Sequence, residues 1–415
     1  MEPLSKFKIN RLQIWLSFVF LFGLSLLTSK SALTFTSTIL ILWAFFDPTQ
    51  RAVWTKDKKI LFLVSLFPIA IILNLFSVMG YSSSLKVITS WSWPLFAAPT
   101  LIIFNDLRAR KILAFALAAG LLLSNVYSLY LLYENLIHNS ANSFMTENFR
   151  IGSFWNIGRW GVFSGFSVLT LFLILHENVK PKLKNYLTVL LGMTSFSFLL
   201  SNTRGPLAAL IIILSLLSFT DKRILKNALI MFSILFTFFI ANDSFSERIR
   251  SIFSVNLNTE KLTSTNQSNA SRLDMWKVAF DFYKEQPLFG TGFENTKVPL
   301  ENFLEKMGPE YTEKYTKAEF SYNDQHSSYL NILIQMGIFF FIYCWGGILI
   351  IFLTQLKKYF STKDTYSRLF LAGIIYNLIV SIFYSSFSSY ESILLIIPLA
   401  LVGKKNATSS VTSNL

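Results

Sequence analysis

Twelve apolar runs, separated by shorter charged segments, occupy most of this 415-residue chain. A helix needs roughly 20 residues to cross the hydrocarbon core of a bilayer, and a segment in lipid must satisfy its own backbone hydrogen bonds. The sequence therefore predicts an all-α, polytopic membrane protein with about 12 transmembrane helices. We expect these helices at about 12–29, 31–46, 60–79, 87–104, 112–136, 160–175, 186–201, 206–220, 225–241, 328–355, 369–384 and 387–402.

The composition agrees with this class of protein. The chain is 53% hydrophobic and only 14% charged, and its mean hydropathy is +0.48. Such values are typical of membrane proteins. Lys6, Lys8 and Arg11 precede the first apolar run as they would in a signal peptide. Because no small-residue cleavage site follows that run, we expect an uncleaved anchor.

The net charge of +14 comes from basic residues that are unevenly distributed between the two predicted sides of the membrane. If the N-terminus is cytoplasmic, every short cytoplasmic loop is rich in Lys and Arg, whereas the short outer loops are poor in both. Since basic loops stay in the cytoplasm, the pattern predicts that both termini are cytoplasmic. The charge thus reports topology, and we expect no nucleic-acid partner. The basic loops lie at 51–59, 108–111, 180–184, 222–226, 357–368 and 404–405.

One segment on the predicted outer side is far longer than the other loops, which is typical of a functional loop. It divides the chain into four parts: transmembrane helices 1–9 (1–241), a large periplasmic loop (242–327), transmembrane helices 10–12 (328–403) and a cytoplasmic tail (404–415).

Helical patterns within this loop predict a folded subdomain. Ser271 and Asp274 have the spacing of a capping box, which predicts a helix that starts there, with Arg272 in its first turn. This helix is expected to stop at Gln286-Pro287, before a glycine turn. A second, charged helix is expected from Glu301 to Lys317. We therefore expect a helical periplasmic subdomain.

Three outer side chains could carry chemistry. Arg204 precedes Pro206, which suits the first position of a helix, where free N–H groups and the helix dipole favour an anion. Arg272 is expected in the first turn of the capped helix, and His326 precedes the tenth apolar run. Taken singly, each also has a plain explanation: a snorkelling arginine, a solvated charge and a histidine making one hydrogen bond at a helix start.

The three residues together suit one reaction class. Two guanidiniums can hold a phosphate or pyrophosphate, and an imidazole can take a proton from a hydroxyl. The single cysteine, Cys344, lies in an apolar run, and no carboxylate pair or His/Cys cluster is evident. We therefore expect no disulfide, no metal site and no cofactor, so that arginines would neutralise the anionic charge.

These residues lie in motifs that resemble those of the bacterial O-antigen ligases, within the larger family that they share with O-antigen polymerases. The ligase pattern is a histidine, then Asn, Ser or Gln, nine residues, and Gly-x-x-Gly; here Phe340 replaces the last glycine. The resemblance spans the whole topology. Its motifs are Thr203-Arg204-Gly205, Ser271-Arg272-Leu273, the turn from Pro287 to Gly292, and His326-Ser327 with Gly337.

The resemblance implies a metal-independent, inverting glycosyltransferase with GT-C-like architecture. Its donor would be a glycan on undecaprenyl pyrophosphate, and its acceptor a sugar hydroxyl of the lipid A–core. The family pattern assigns Arg204 and Arg272 to the donor pyrophosphate and His326 to the acceptor hydroxyl. Other expected partners are membrane lipids and other lipopolysaccharide assembly proteins.

Two further outer arginines, Arg150 and Arg159, are candidate donor contacts because they are the remaining outer cations before the sixth apolar run. Interfacial anchoring together with Trp155 and Trp160 is an equally good interpretation.

Two other functions stay open. An O-antigen polymerase would use the same donor but would extend another lipid-linked chain. A lipid-linked oligosaccharide flippase would also have many helices, but such transporters usually show repeated halves and charges near the membrane midplane. In this chain the charges lie at the ends of the apolar runs, which favours glycan transfer over transport.

Overall fold

The computed structural model describes residues 10–138, 150–177, 179–241, 264–285, 288–316 and 320–401. Every regular element among these residues is helical, which confirms the predicted all-α class. The α-helices are α1 (Arg11–Thr28), α2 (Lys30–Phe46), α3 (Pro48–Trp54), α4 (Lys58–Leu75), α5 (Gly80–Ser90), α6 (Ala97–Asn105), α7 (Leu107–His138), α8 (Ile157–Leu175), α9 (Pro181–Ser201), α10 (Arg204–Ser218), α11 (Lys222–Ala241), α12 (Ser264–Tyr283), α13 (Lys297–Met307), α14 (Pro309–Tyr315), α15 (Ser328–Thr362), α16 (Thr365–Phe383) and α17 (Ile393–Leu401).

A helix occupies each predicted crossing, and these helices differ in length. Within the described ranges, eight helical segments are long and apolar enough to cross a membrane, and α2 with α3, bent by 90°, would make a ninth. Two predicted crossings form shorter apolar helices, at Arg204–Ser218 and Tyr390–Leu401. The other predicted crossings also contain a helix, α11 among them. The protein is therefore a multi-pass membrane protein.

Small residues let α1 and α7 approach each other closely. A Cβ added at Gly23 would come within 2.9 Å of Ala116 Cβ, and one at Gly120 within 2.9 Å of Leu24 O. Because lipid tails are as apolar as leucine, such close backbone packing is a main source of helix association in membranes.

Helix α17 lies in the middle of the bundle and is buried along almost its whole length. Pro398 stands inside it, and a proline has no N–H to donate to the carbonyl four residues earlier. That carbonyl, Leu394 O, instead accepts a hydrogen bond from Asn377 Nδ2 at 3.0 Å. A polar side chain of α16 thus satisfies the backbone group that the proline leaves open.

Helix α12 begins earlier than the sequence predicts. It starts at Ser264, so Ser271 lies inside the helix and does not cap it, and Arg272 is not in the first turn. Burial of Met275, Val278 and Phe282 on one face stabilises the helix through tertiary packing, which outweighs a local capping pattern. The predicted stop at Gln286-Pro287 lies outside the described residues, as does the cytoplasmic tail 404–415.

The second predicted helix, Glu301 to Lys317, is two helices. Helices α13 and α14 meet at Gly308, whose φ of 87° is outside the helical region. Pro309 follows and cannot donate to the preceding turn, so the chain changes direction there. Lys317 lies outside the described residues.

Helices α12 and α13 pack against the start of α15 in a small apolar core. It is separate from the main core of the bundle, and Ile334 is the α15 residue that it includes. Its buried residues are Val278, Ala279, Phe282, Leu300, Phe303, Leu304 and Ile334.

Helix α15 is broken at Gly337, and the turn Leu288–Gly292 fits into the break. Gly337 has φ 72° and ψ 177°, which leaves the carbonyls before it without helical partners. The N–H of Thr291 donates to Ile334 O at 2.9 Å, and the N–H of Gly292 donates to Gln335 O at 2.8 Å. The glycine turn therefore caps the first half of α15.

The same turn is held from its other side by the α4–α5 connection. The N–H of Val78 donates to Gly290 O at 3.2 Å, and the N–H of Met79 donates to Thr291 O at 3.1 Å. The turn therefore links the segment that carries α12 to two parts of the helix bundle.

Phe340, which replaces the last glycine of the ligase pattern, is fully buried. Its ring lies 5.4 Å from that of Trp91, edge to face. The space that a glycine would leave open for a neighbour is here filled by an aromatic pair.

We expect Gly337→Ala to destabilise the fold. Alanine is strained at positive φ by about 1–3 kcal/mol, and its Cβ would overlap the carbonyl group of Leu288. The measurement is the midpoint of thermal unfolding of the purified protein in detergent. Gly346→Ala in the same helix is the matched control, because a Cβ there would meet nothing within 4 Å. Equal midpoints for the two variants would show that the break does not require glycine.

Candidate active site

Tyr384, at the C-terminal end of α16, is the residue on which several segments converge. A Cβ at Gly158, near the start of α8, would lie 3.4 Å from Tyr384 Cε1. A Cβ at Gly205, near the start of α10, would lie 2.9 Å from Tyr384 Cε2. Both helix starts therefore pack against opposite edges of this ring. We call this end of the bundle the site end.

Arg204 is the first residue of α10, so it lies at a helix N-terminus, as predicted. The helix begins two residues before Pro206, which is its third residue and not its first. Thr203 precedes it, with its Oγ1 3.0 Å from Ser201 Oγ. Because Gly205 packs on Tyr384, the backbone of Arg204 lies next to the tyrosine, at a helix N-terminus that favours anions.

Arg272 reaches the same tyrosine from α12. Its Cζ lies 5.9 Å from the centroid of the Tyr384 ring, within the range of a cation–π contact. Since Arg272 lies inside α12, a helix N-terminus does not contribute to its surroundings, contrary to the prediction. What brings it to the site is the packing of α12 on the bundle.

Arg150 forms a second cationic group beside Arg272. Its Nε donates to Ser201 O at 3.1 Å. Burial lowers the pKa of Arg150, as does the nearby Arg272 guanidinium, while Tyr384 acts in the opposite direction. An arginine keeps its charge despite such a shift. Two neighbouring guanidiniums are thus held at the site end, and an anion between them would relieve their repulsion.

His326 stands in a turn whose neighbouring residues contact Tyr384 and α12. Ser328, two residues later, donates from its N–H at 3.1 Å and from its Oγ at 2.8 Å to Tyr384 O. On the other side, Trp276 Nε1, one helical turn from Arg272, donates to Gln325 O at 2.9 Å. The structure therefore brings the histidine turn to the same neighbourhood as the arginines.

The imidazole of His326 is accessible. Its side chain is 41% exposed, and its Nδ1 lies 3.8 Å from Asp324 Oδ2. The backbone of His326 has φ 50°, a left-handed conformation that is uncommon for a residue with a side chain. Such backbone conformations are often found at functional sites.

Arg159 lies in a different cluster. Its Nε donates to Glu391 Oε1 at 2.8 Å, and its Cζ lies 4.7 Å from the Tyr390 ring centroid. Glu391 is 6% exposed, so this is a buried ion pair on the carboxylate side. Trp155 stacks on Tyr390 and is buried like Trp160. These two tryptophans therefore pack inside the bundle, which is not what interfacial anchoring predicts.

Sequence reasoning missed Tyr384 and Asp324. Tyr384 directly follows an apolar run and could be taken for an ordinary aromatic residue at a helix end. Asp324 carries a weak signal, because it precedes His326 by two residues in a polar turn. No group of three or more His, Cys, Asp or Glu side chains within the described ranges is arranged to hold a metal ion.

Fold and site together define an all-helical, multi-pass membrane protein with arginines and a histidine gathered at one end of its bundle. The family model described as O-antigen ligase matches residues 188–344. The matched segment includes Arg204, Arg272 and His326, and it supports the resemblance that the motifs predict. This family covers ligases and polymerases, which are glycosyltransferase-like enzymes of lipopolysaccharide biosynthesis.

A relative from Haemophilus influenzae is similar over most of its length. It is 23% identical over 364 residues, which is 83% of this chain and 85% of the relative, and it is described as an uncharacterized protein.

Proposed function

We propose that this protein is an O-antigen ligase, which transfers a glycan from undecaprenyl pyrophosphate to a sugar hydroxyl of the lipid A–core. The proposal rests above all on one observation: Arg272 contacts the ring of Tyr384, and Ser328, two residues after His326, is hydrogen-bonded to Tyr384 O. A group that suits a pyrophosphate and a group that suits a hydroxyl are thereby brought together. The family match supports the same reaction class.

The arginines bind the donor pyrophosphate in this proposal. Arg204 and Arg272 supply planar forks that match phosphate oxygens, and Arg150 adds a third cation. Arg159 is the weakest donor candidate, because Glu391 engages its guanidinium. Pyrophosphate is a leaving group that needs little protonation, so stabilising its developing charge is the main demand on the site.

His326 acts on the acceptor. Its imidazole takes the hydroxyl proton while the hydroxyl oxygen attacks the anomeric carbon, and the bond from that carbon to the pyrophosphate oxygen breaks. A single displacement inverts the configuration at the anomeric carbon. This is the chemistry of a metal-independent, GT-C-like glycosyltransferase.

We infer the orientation from the charge pattern of the loops. The site end faces the periplasm, residues 242–327 form the periplasmic subdomain, and both termini lie in the cytoplasm of a bacterial inner membrane. The proposed donor and acceptor are both attached to lipids, so they reach the site end from within the plane of the membrane.

The test uses purified protein in detergent, given an undecaprenyl pyrophosphate glycan with or without rough lipopolysaccharide. Glycan mobility on a gel is the readout, and a reaction without enzyme is the blank. We expect glycan to appear on the lipid A–core only when both substrates are present. Donor chains that lengthen without the acceptor would instead establish a polymerase, and the acceptor part of the proposal would be wrong.

Chelation should leave the transfer unaffected. If arginines neutralise the pyrophosphate, no divalent ion is needed for that step, and EDTA should not change the initial rate in the same gel assay. A rate that falls with EDTA and returns with added magnesium would contradict the proposed division of roles.

A further inference from the structure

Asp324 joins the histidine turn to the segment that follows Tyr384. Its Oδ1 accepts a hydrogen bond from the N–H of His326 at 2.8 Å and one from Asn331 Nδ2 at 3.2 Å. The hydroxyl of Ser385, the residue after Tyr384, also donates to this oxygen. One carboxylate oxygen therefore fixes the turn against the tyrosine segment.

The other carboxylate oxygen faces the imidazole. Asp324 Oδ2 lies 3.8 Å from His326 Nδ1, so a small rotation of either side chain brings them within hydrogen-bonding distance. The left-handed backbone of His326 and its hydrogen bond to Oδ1 form a tight turn that keeps the two side chains on the same side. Oδ1 of Asp324 thus binds the backbone N–H of His326, and Oδ2 faces the imidazole ring.

From this geometry, and resting on the transfer reaction proposed above, we propose that Asp324 is the positioning residue for His326. Its Oδ2 accepts a hydrogen bond from Nδ1–H, which keeps the proton on Nδ1 and leaves the Nε2 lone pair free for the acceptor hydroxyl. A histidine ring nitrogen acts as a base only when its partner nitrogen carries the proton.

The hydroxyl proton moves to Nε2, and the oxygen forms a bond with the anomeric carbon, whose bond to the pyrophosphate oxygen breaks. Pyrophosphate leaves with that electron pair, and the imidazolium keeps the proton until solvent removes it. The carboxylate of Asp324 offsets the positive charge that forms on the ring, and it is not itself protonated.

Asp324→Asn is the test, measured as kcat and KM for donor and acceptor in the gel assay. Asparagine preserves an oxygen for the backbone bond of the turn, but its amide can donate to Nδ1, which places the ring proton on Nε2. We expect kcat to fall about 100-fold, the lower end of what a general base contributes. Both KM values should stay near those of the wild type.

Two further variants separate positioning from folding. Ser385→Ala removes one hydrogen bond to Oδ1 and leaves the charge and Oδ2 in place, so its kcat should fall far less than that of Asp324→Asn. In a His326→Ala background, Asp324→Asn should cause no further loss, because the residue acts only through the ring.

Each contrary result overturns the inference. Wild-type kcat for Asp324→Asn alongside an inactive His326→Ala would refute the role of Asp324 and leave the proposed function standing. An additional loss in the double variant would assign Asp324 to structure. Absence of transfer by the wild-type protein, in contrast, would refute the proposed function itself.

Discussion

We expect that replacing His326 by alanine leaves only a small residual glycan transfer while the protein remains folded in the membrane. The imidazole is 41% exposed on the surface of a turn, so its loss removes little packing. The backbone hydrogen bond to Asp324 and the bonds of Ser328 to Tyr384 do not involve the ring. General-base catalysis contributes about 10²–10⁴-fold, so transfer should fall by at least that range in the gel assay.

His176→Ala is the matched control. His176 lies at the other end of α8 from Gly158, where its Nδ1 is 2.9 Å from Phe172 O. This histidine is remote from the site end, so its variant should transfer glycan at the wild-type rate. Transfer by His326→Ala at the same rate as the control would remove the general-base role.

We expect that replacing Arg204 by lysine also lowers transfer, by about 10²–10³-fold. That is the usual effect of losing one preorganised donor to a developing negative charge. Lysine keeps the charge but offers a point ammonium in place of a planar fork, and it cannot bind two phosphate oxygens side by side. A charge that merely anchors a helix end would tolerate this change. The measurement is kcat/KM for the donor.

Arg223→Lys provides the comparison for Arg204→Lys. Arg223 lies at the opposite end of the bundle. Its side chain is 81% exposed, and its Nε lies 3.6 Å from Asp221 Oδ1. The same substitution there should leave kcat/KM unchanged. If both variants have wild-type kcat/KM, Arg204 is an anchor and the pyrophosphate is bound by other groups.

The helices could be predicted because apolar runs in a membrane protein have few alternatives to a helix. Local sequence patterns predicted the ends of the helices less reliably. The pattern at Ser271 and Asp274 resembles a cap, yet the helix continues through it because Met275 and Val278 pack. Gly308-Pro309 is a typical helix-breaking pair, but it lies within a charged run whose pattern predicts one continuous helix.

The site was predicted only in part, because its assembly depends on contacts between distant segments. Arg204, Arg272 and His326 could be chosen by chemistry and by resemblance, and the structure places all three near Tyr384. Tyr384 itself could not be chosen, since nothing in its local sequence reveals that two helix starts and a cation meet on its ring. Arg159 has the charge that a donor contact needs, but its guanidinium forms an ion pair with Glu391.

The break in α15 explains how a peripheral helix can supply a site residue. The turn Leu288–Gly292 is bonded both to the carbonyls exposed by the break and to the α4–α5 connection. Trp276 is bonded to the histidine turn. These attachments restrain α12, so that Arg272 is held over Tyr384 without belonging to a transmembrane helix.

The proposed function requires that the arginines near Tyr384 bind the donor pyrophosphate. Electron cryo-microscopy of the protein in lipid nanodiscs with undecaprenyl pyrophosphate would show where the pyrophosphate binds. We predict density for the two phosphates between the guanidiniums of Arg204 and Arg272, next to the Tyr384 ring. Pyrophosphate density elsewhere, such as in the cavity lined by Arg11 and Trp43, would contradict the account.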